Sequence, residues 1–140
     1  MIDLADPASA GVHRVDAAEA RALERSARAR GLFAARVALG DRPEKRALLQ
    51  RLSEALSFPG YFGSNWDAAW DCLDDLSWLS APGFVVILDE ADPSYALGLD
   101  LEALLGEAVA SWRARGVAFS VLVVSAAAGA PPPPATEPPG

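Results

Sequence analysis

The stretch Tyr61-Phe62-Gly63-Ser64-Asn65-Trp66-Asp67-Ala68-Ala69-Trp70-Asp71-Cys72-Leu73-Asp74-Asp75 holds two tryptophans, one tyrosine and four aspartates, and no basic residue. Carboxylates grouped in this way suit two kinds of chemistry. They can act as general acid and base, or as oxygen ligands for Mg²⁺ or Ca²⁺. They can also be presented to the Arg and Lys side chains of a protein partner, with aromatic residues beside them as interface anchors. A catalytic site would usually add a His, Lys or Tyr opposite the acids. Here only Tyr61 is at hand, so the second chemistry is the better fit.

At about 100° per residue, Trp66, Ala69, Trp70, Leu73 and Leu76 fall on one face of a helix, and Asp67, Asp71 and Asp74 on another. Ser64 or Asn65 is placed to cap it. Core packing accounts for Trp66, Leu73 and Leu76. Trp70, beside Asp71, suits either the core or a half-exposed position. Asp67 lies in the first turn, where an acid complements the helix dipole and can complete a capping box with Ser64. Asp71 has no such structural reason. Like charges at i, i+4 cost about a few tenths of a kcal/mol, and such local penalties concentrate at functional sites.

The charge distribution points the same way. From Leu52 through Trp112 there is no Lys, Arg or His, and that segment carries −11 against +4 for the remainder, giving the net −7. A surface for nucleic acid needs clustered Lys and Arg, and this chain offers the opposite sign. A basic protein or a cation is the favoured partner. An acidic surface also keeps proteins soluble, which is the plainer account of the same numbers.

Other chemistries lack their residues. There is no Gly-rich loop before Lys-Ser or Lys-Thr, no G-x-G-x-x-G and no G-x-S-x-G. His13 is the one histidine and has no companion at metal-ligand spacing. Cys72 is expected to be a small buried hydrophobe, unreactive and without a disulfide partner. No metal or cofactor is expected. The apolar runs are too short to span a bilayer, and Met1-Ile2-Asp3-Leu4-Ala5-Asp6 lacks the basic start of a signal peptide. A cytoplasmic protein, monomeric when free, is expected.

The elements that must position the acids alternate between strand and helix. Gly11–Val15 reads as a strand. A helix capped by Asp16 runs to about Arg30 and is stopped by Gly31. Phe33–Leu39 is a strand. Asp41, Pro43 and Glu44 repeat the start signature for a helix with Leu48, Leu52, Ala55 and Leu56 on one stripe. The aspartate helix follows, then a buried strand at Phe84–Leu88 and a loop over Asp89–Gly98. A helix carries Leu101, Leu104, Leu105, Ala108 and Trp112, and a last strand spans Phe119–Val124. This order predicts an α/β single domain with a small parallel sheet of about four strands and crossover helices. Residues 1–10 are expected to be a flexible N-terminus, 11–126 the folded domain, and 127–140 a disordered Pro-rich tail.

On the residues Phe58-Pro59-x-Tyr61-Phe62-Gly63-x-Asn65-x-Asp67-Ala68-x-Trp70-Asp71-Cys72-Leu73, the chain resembles the barstar-type ribonuclease inhibitors. The likeness extends from about Leu32 to Val124, with Gly11–Gly31 as an addition relative to the smallest members. The resemblance implies a non-enzymatic inhibitor or immunity protein that plugs the active site of a small, basic, barnase-like ribonuclease. It implies Tyr61, Gly63, Asn65, Asp67, Trp70 and Asp71 as contact residues, and the acidic helix adds Asp74 as a partner-binding candidate. The chain departs from the pattern at Ser111, where the inhibitors carry a further acid that Glu107 could replace. Trp66 and Ala69 stand for leucines, and Asp74 and Asp75 add charge. Two other readings stay open: a barstar-like binding module for a different basic protein, and an acidic carboxylate or metal-dependent enzyme.

Overall fold

Strands β1 (Val12–Val15), β2 (Phe33–Ala38), β3 (Gly83–Ala91) and β4 (Ala118–Ser125) form one parallel sheet in the order β1-β4-β3-β2. The structure is a computed structural model and describes residues 2–60 and 65–125. Helices α1 (Ala17–Ala29), α2 (Lys45–Leu56), α3 (Trp66–Asp75) and α4 (Ala96–Ala114) connect the strands.

Because side chains alternate across a strand, the Val-rich strands feed two separate cores. Ala35, Val37, Phe84, Val86, Leu88, Phe119, Val121 and Val123 pack with α2, α3 and α4. Ala34, Val85, Ile87, Leu122 and Val124 pack with Ala20, Leu23 and Ala27 of α1. The result is a sheet covered on both faces, the usual condition of parallel strands. No helix among the described residues is long and apolar enough to cross a membrane.

Three expectations need correcting. Residues 2–10 are not a loose lead-in. A 3-10 turn at Pro7–Ser9 is capped by Asp6, and Leu4 is 4% exposed in the core beneath α1. The packed unit therefore begins before Gly11, because β1 and α1 leave an apolar edge that Leu4 closes. Helix α2 starts at Lys45 without any side-chain cap. Asp41 is instead held by Arg51, at 2.7 and 2.6 Å from its two carboxylate oxygens. Finally, β3 runs on to Ala91, where it pairs with Ser125 across a register shift. The tail beyond Ser125 lies outside the described residues.

Candidate protein-binding face on helix α3

Helix α3 begins at Asn65, whose Oδ1 accepts from the Ala68 N–H at 2.7 Å. Of the two expected caps, Asn65 fills the role; the capping box proposed for Ser64 and Asp67 falls partly outside the described residues. Asp67 stands in the first turn, where its charge complements the helix N-terminus. Ala69, Cys72 and Leu73 are buried against the core, while Trp66 and Trp70 are half-buried with part of each indole packed on it. Trp66 is thus not the pure core residue that its face suggests.

The C-terminal end of α3 is unusually well tied. The last carbonyls of a helix lack partners within it, and here each of three finds one. Leu76 N–H donates to Cys72 O at 3.0 Å. The Trp112 indole N–H donates to Leu73 O at 2.7 Å, and Arg115 Nη1 donates to Asp74 O at 3.0 Å. The Arg115 guanidinium also stacks 3.7 Å over the Trp112 ring. On the other flank, the Trp78 indole donates to Leu56 O at 2.9 Å, joining the turn after α3 to the end of α2. The buried Leu73 carbonyl gains most, since an unpaired buried one costs about 1–3 kcal/mol. These bonds give α3 a fixed seat on α4 and leave its outer face free.

That face separates the four aspartates into two kinds. Asp67, Asp71 and Asp75 are exposed and have no basic partner among the described residues. Asp74 is half-buried and paired through one of its oxygens. Its Oδ1 accepts from Ser111 Oγ at 2.6 Å and from Arg115 Nη2 at 2.8 Å. Asp74 thus brings a carboxylate from the neighbouring helix to Ser111, with its charge paired to Arg115. Glu107 lies one turn earlier on α4, on a groove beside Trp66. The sequence reading missed this division because Arg115 lies 41 positions from Asp74.

Of the sequence-derived candidates, Asn65, Asp67, Trp70 and Asp71 share the start and outer side of α3. Tyr61 and Gly63 lie outside the described residues. Cys72 is buried, and burial pushes its thiol up, with the negative charges of Asp71 and Asp75 adding to the effect. A thiol so placed is a poor nucleophile. His13 sits on the edge strand β1, with Nε2 3.0 Å from Ser9 O. No group of three His, Cys, Asp or Glu among the described residues could hold a metal ion.

A separate concavity of about 330 Å³ lies elsewhere. It opens at the C-terminal ends of the strands, between Leu39, Leu88, Leu99 and Val123, and no residue of α3 lines it.

Against the curated proteins, the chain has no match. The exposed acids of α3, the Asn65 cap and strands β2 and β3 lie within residues 32–124, the span matched by the family model described as Barstar (barnase inhibitor), and the chain belongs to that family.

Proposed function

We propose that this chain is a non-enzymatic inhibitor that blocks the active site of a small basic ribonuclease with the outer face of α3 and the loop before it. The observation that carries this reading is the state of Asp67 and Asp71. They stand one turn apart, exposed and without a basic partner among the described residues, whereas Asp41, Asp74, Asp89 and Asp92 are each paired with an arginine. Two carboxylates on a rigid helix can occupy the positions that RNA phosphates take among a nuclease's Arg, Lys and His side chains. Charge-assisted hydrogen bonds of that type are short and directional, and opposite charge speeds encounter.

The test is RNA cleavage by a barnase-like ribonuclease titrated with this protein at low and high salt. Inhibition is expected at low salt and should weaken as salt screens the encounter. Asp71→Ala should weaken inhibition by about 30-fold, equivalent to about 2 kcal/mol. Asp92→Ala, whose carboxylate serves Arg42 and Ser94 far from α3, should leave it unchanged. Equal losses from the two variants would remove α3 as the site, and no inhibition at low salt would remove that enzyme as the target.

A second reading keeps the binding face and changes the partner. The Asp74–Arg115 pair neutralises the far end of the face, so a nuclease that requires a free acid there would be rejected, and another basic protein would be the target.

A further inference from the structure

Helices α3 and α4 lie side by side and run the same way: Trp66 is opposite Asp100–Glu107, and Asp74 is opposite Ser111 and Arg115. Charge is unevenly spread along this pair. At the C-terminal end, Arg115 cancels Asp74, and Arg113 donates to Ala10 O. Toward the N-terminal end, Arg14 pairs with Glu102, and the charged residues facing Trp66 are the acids Asp100 and Glu107. Between the helices there lies an open groove of about 240 Å³, lined by Trp66, Asp100, Ala103, Leu104 and Glu107.

The three apolar residues and the two acids of this groove have different uses. Trp66, Ala103 and Leu104 make a surface for hydrocarbon. Asp100 and Glu107 lie on the same side of α4, separated by about two turns or 10 Å, and have no basic partner among the described residues. A long side chain that is apolar along its stem and cationic at its tip matches this layout. Arginine matches it better than lysine. Its planar guanidinium can stack on the half-buried indole and still donate in the plane to a carboxylate.

We propose that the α3–α4 groove is a socket for an arginine side chain of the protein partner, extending the binding face from α3 onto the Asp100–Glu107 stretch of α4. The proposal rests on the reading that α3 faces a basic protein, and it adds where that protein must place a cation. The socket adjoins the acidic face directly, since Trp66 lies between the Asn65 cap and Asp67. The Asp74–Arg115 pair then bounds the socket on the other side, while Asp67, Asp71, Asp100 and Glu107 offer exposed negative charge with no basic partner among the described residues.

The socket can be probed without knowing the partner. The probe is N-acetyl-arginine amide, titrated at low salt into the full chain while the Trp66 indole N–H resonance is followed; its assignment comes from its loss in Trp66→Phe. The control is N-acetyl-citrulline amide, which has the same shape and no charge. A saturable shift with the arginine compound and none with citrulline is expected. Asp100→Asn combined with Glu107→Gln, both at exposed positions, should at least halve the shift, while Asp71→Asn should leave it. An equal response to citrulline, or an undiminished shift in the double variant, would overturn the proposal. The two readings fail separately: a charge-dependent Trp66 response together with an Asp71→Ala variant that still inhibits fully would keep the socket and discard the inhibitor.

Discussion

Arg115 holds Asp74 at two points, donating to Oδ1 at 2.8 Å and to the backbone oxygen at 3.0 Å. One guanidinium thus neutralises a side chain and completes the last turn of α3. The pair is about two-fifths exposed on each side, so solvent screens it, and its worth is set by geometry more than by Coulomb attraction.

Asp74 and Asp71 should therefore respond in opposite senses to the same substitution. Asp74→Asn weakens the Arg115 contact and the charge-assisted bond from Ser111, and should cost about 1 kcal/mol of stability. Asp71→Asn removes a charge that faces Asp67 and Asp75 at i, i+4, and should be neutral or stabilising by about a few tenths of a kcal/mol. Urea unfolding of the two variants reads the sign directly. A destabilised Asp71→Asn protein would mean that Asp71 has a structural partner.

The seat of α3 depends as much on Trp112 as on Arg115. Trp112→Phe keeps an aromatic ring against Phe84, 5.3 Å away in the native protein, but leaves Leu73 O without its 2.7 Å donor. It also takes away the larger ring beneath Arg115. A loss of about 2 kcal/mol is expected, mostly from the unpaired carbonyl. Amide exchange should show it locally: protection falls over the last turn of α3 more than in α1. Uniform loss of protection would refute a local role.

Much of this arrangement could be read from the chain. The Asn65 cap, the buried side of α3 and the strand–helix alternation follow from spacing, because periodicity places each residue on a face. What periodicity cannot give is the element that packs opposite. The division of Asp74 from Asp71 depends on Arg115, which the fold brings from 41 positions away. The groove at Trp66 likewise needs α4, although Asp100, Ala103, Leu104 and Glu107 at helical spacing were a visible hint. Asp41 read as a helix start for the same reason, since its local signature was right and the competing partner, Arg51, lay beyond it. Leu4 escapes such reading because Ile2, Leu4 and Ala5, broken up by Asp3 and Asp6, are too few to set up a period.

Acid should weaken the protein through Glu24. Burial pushes its carboxyl up, but hydrogen bonds and charge from Arg36 and Arg28 outweigh this and hold it below the ordinary value of 4.5. Arg36 joins Glu24 at 2.6 Å to Asp89 at 2.7 Å, linking α1 to β2 and β3. A carboxyl with a depressed folded value stabilises above pH 4.5, and the contribution disappears as pH falls through the folded value. Glu24→Gln should thus cost about 1 kcal/mol at pH 7, allowing for partial exposure, and progressively less as pH falls below 4.5. Urea midpoints at pH 7 and at acid pH test this, and a gap that does not shrink with falling pH would assign the effect to packing instead of charge.

Two helices end on a residue other than glycine in the left-handed region, and substitution there should have opposite results. Ser57 closes α2 at φ 54° and is exposed. Leu76 closes α3 at φ 49° and is 1% exposed. The conformation costs a residue with a Cβ about 1 kcal/mol relative to glycine. At Ser57 nothing offsets that cost, so Ser57→Gly should stabilise by up to about 1 kcal/mol. At Leu76 the side chain belongs to the core between α2, α3 and α4, and losing a buried leucine costs about 2–5 kcal/mol. Burial outweighs strain there, and Leu76→Gly should destabilise by about 1–4 kcal/mol, the difference between the two effects. Thermal unfolding distinguishes them: the midpoint rises for Ser57→Gly and falls for Leu76→Gly. A rise for both would mean that Leu76 contributes little packing, and that α3 is held by Trp112 and Arg115 alone.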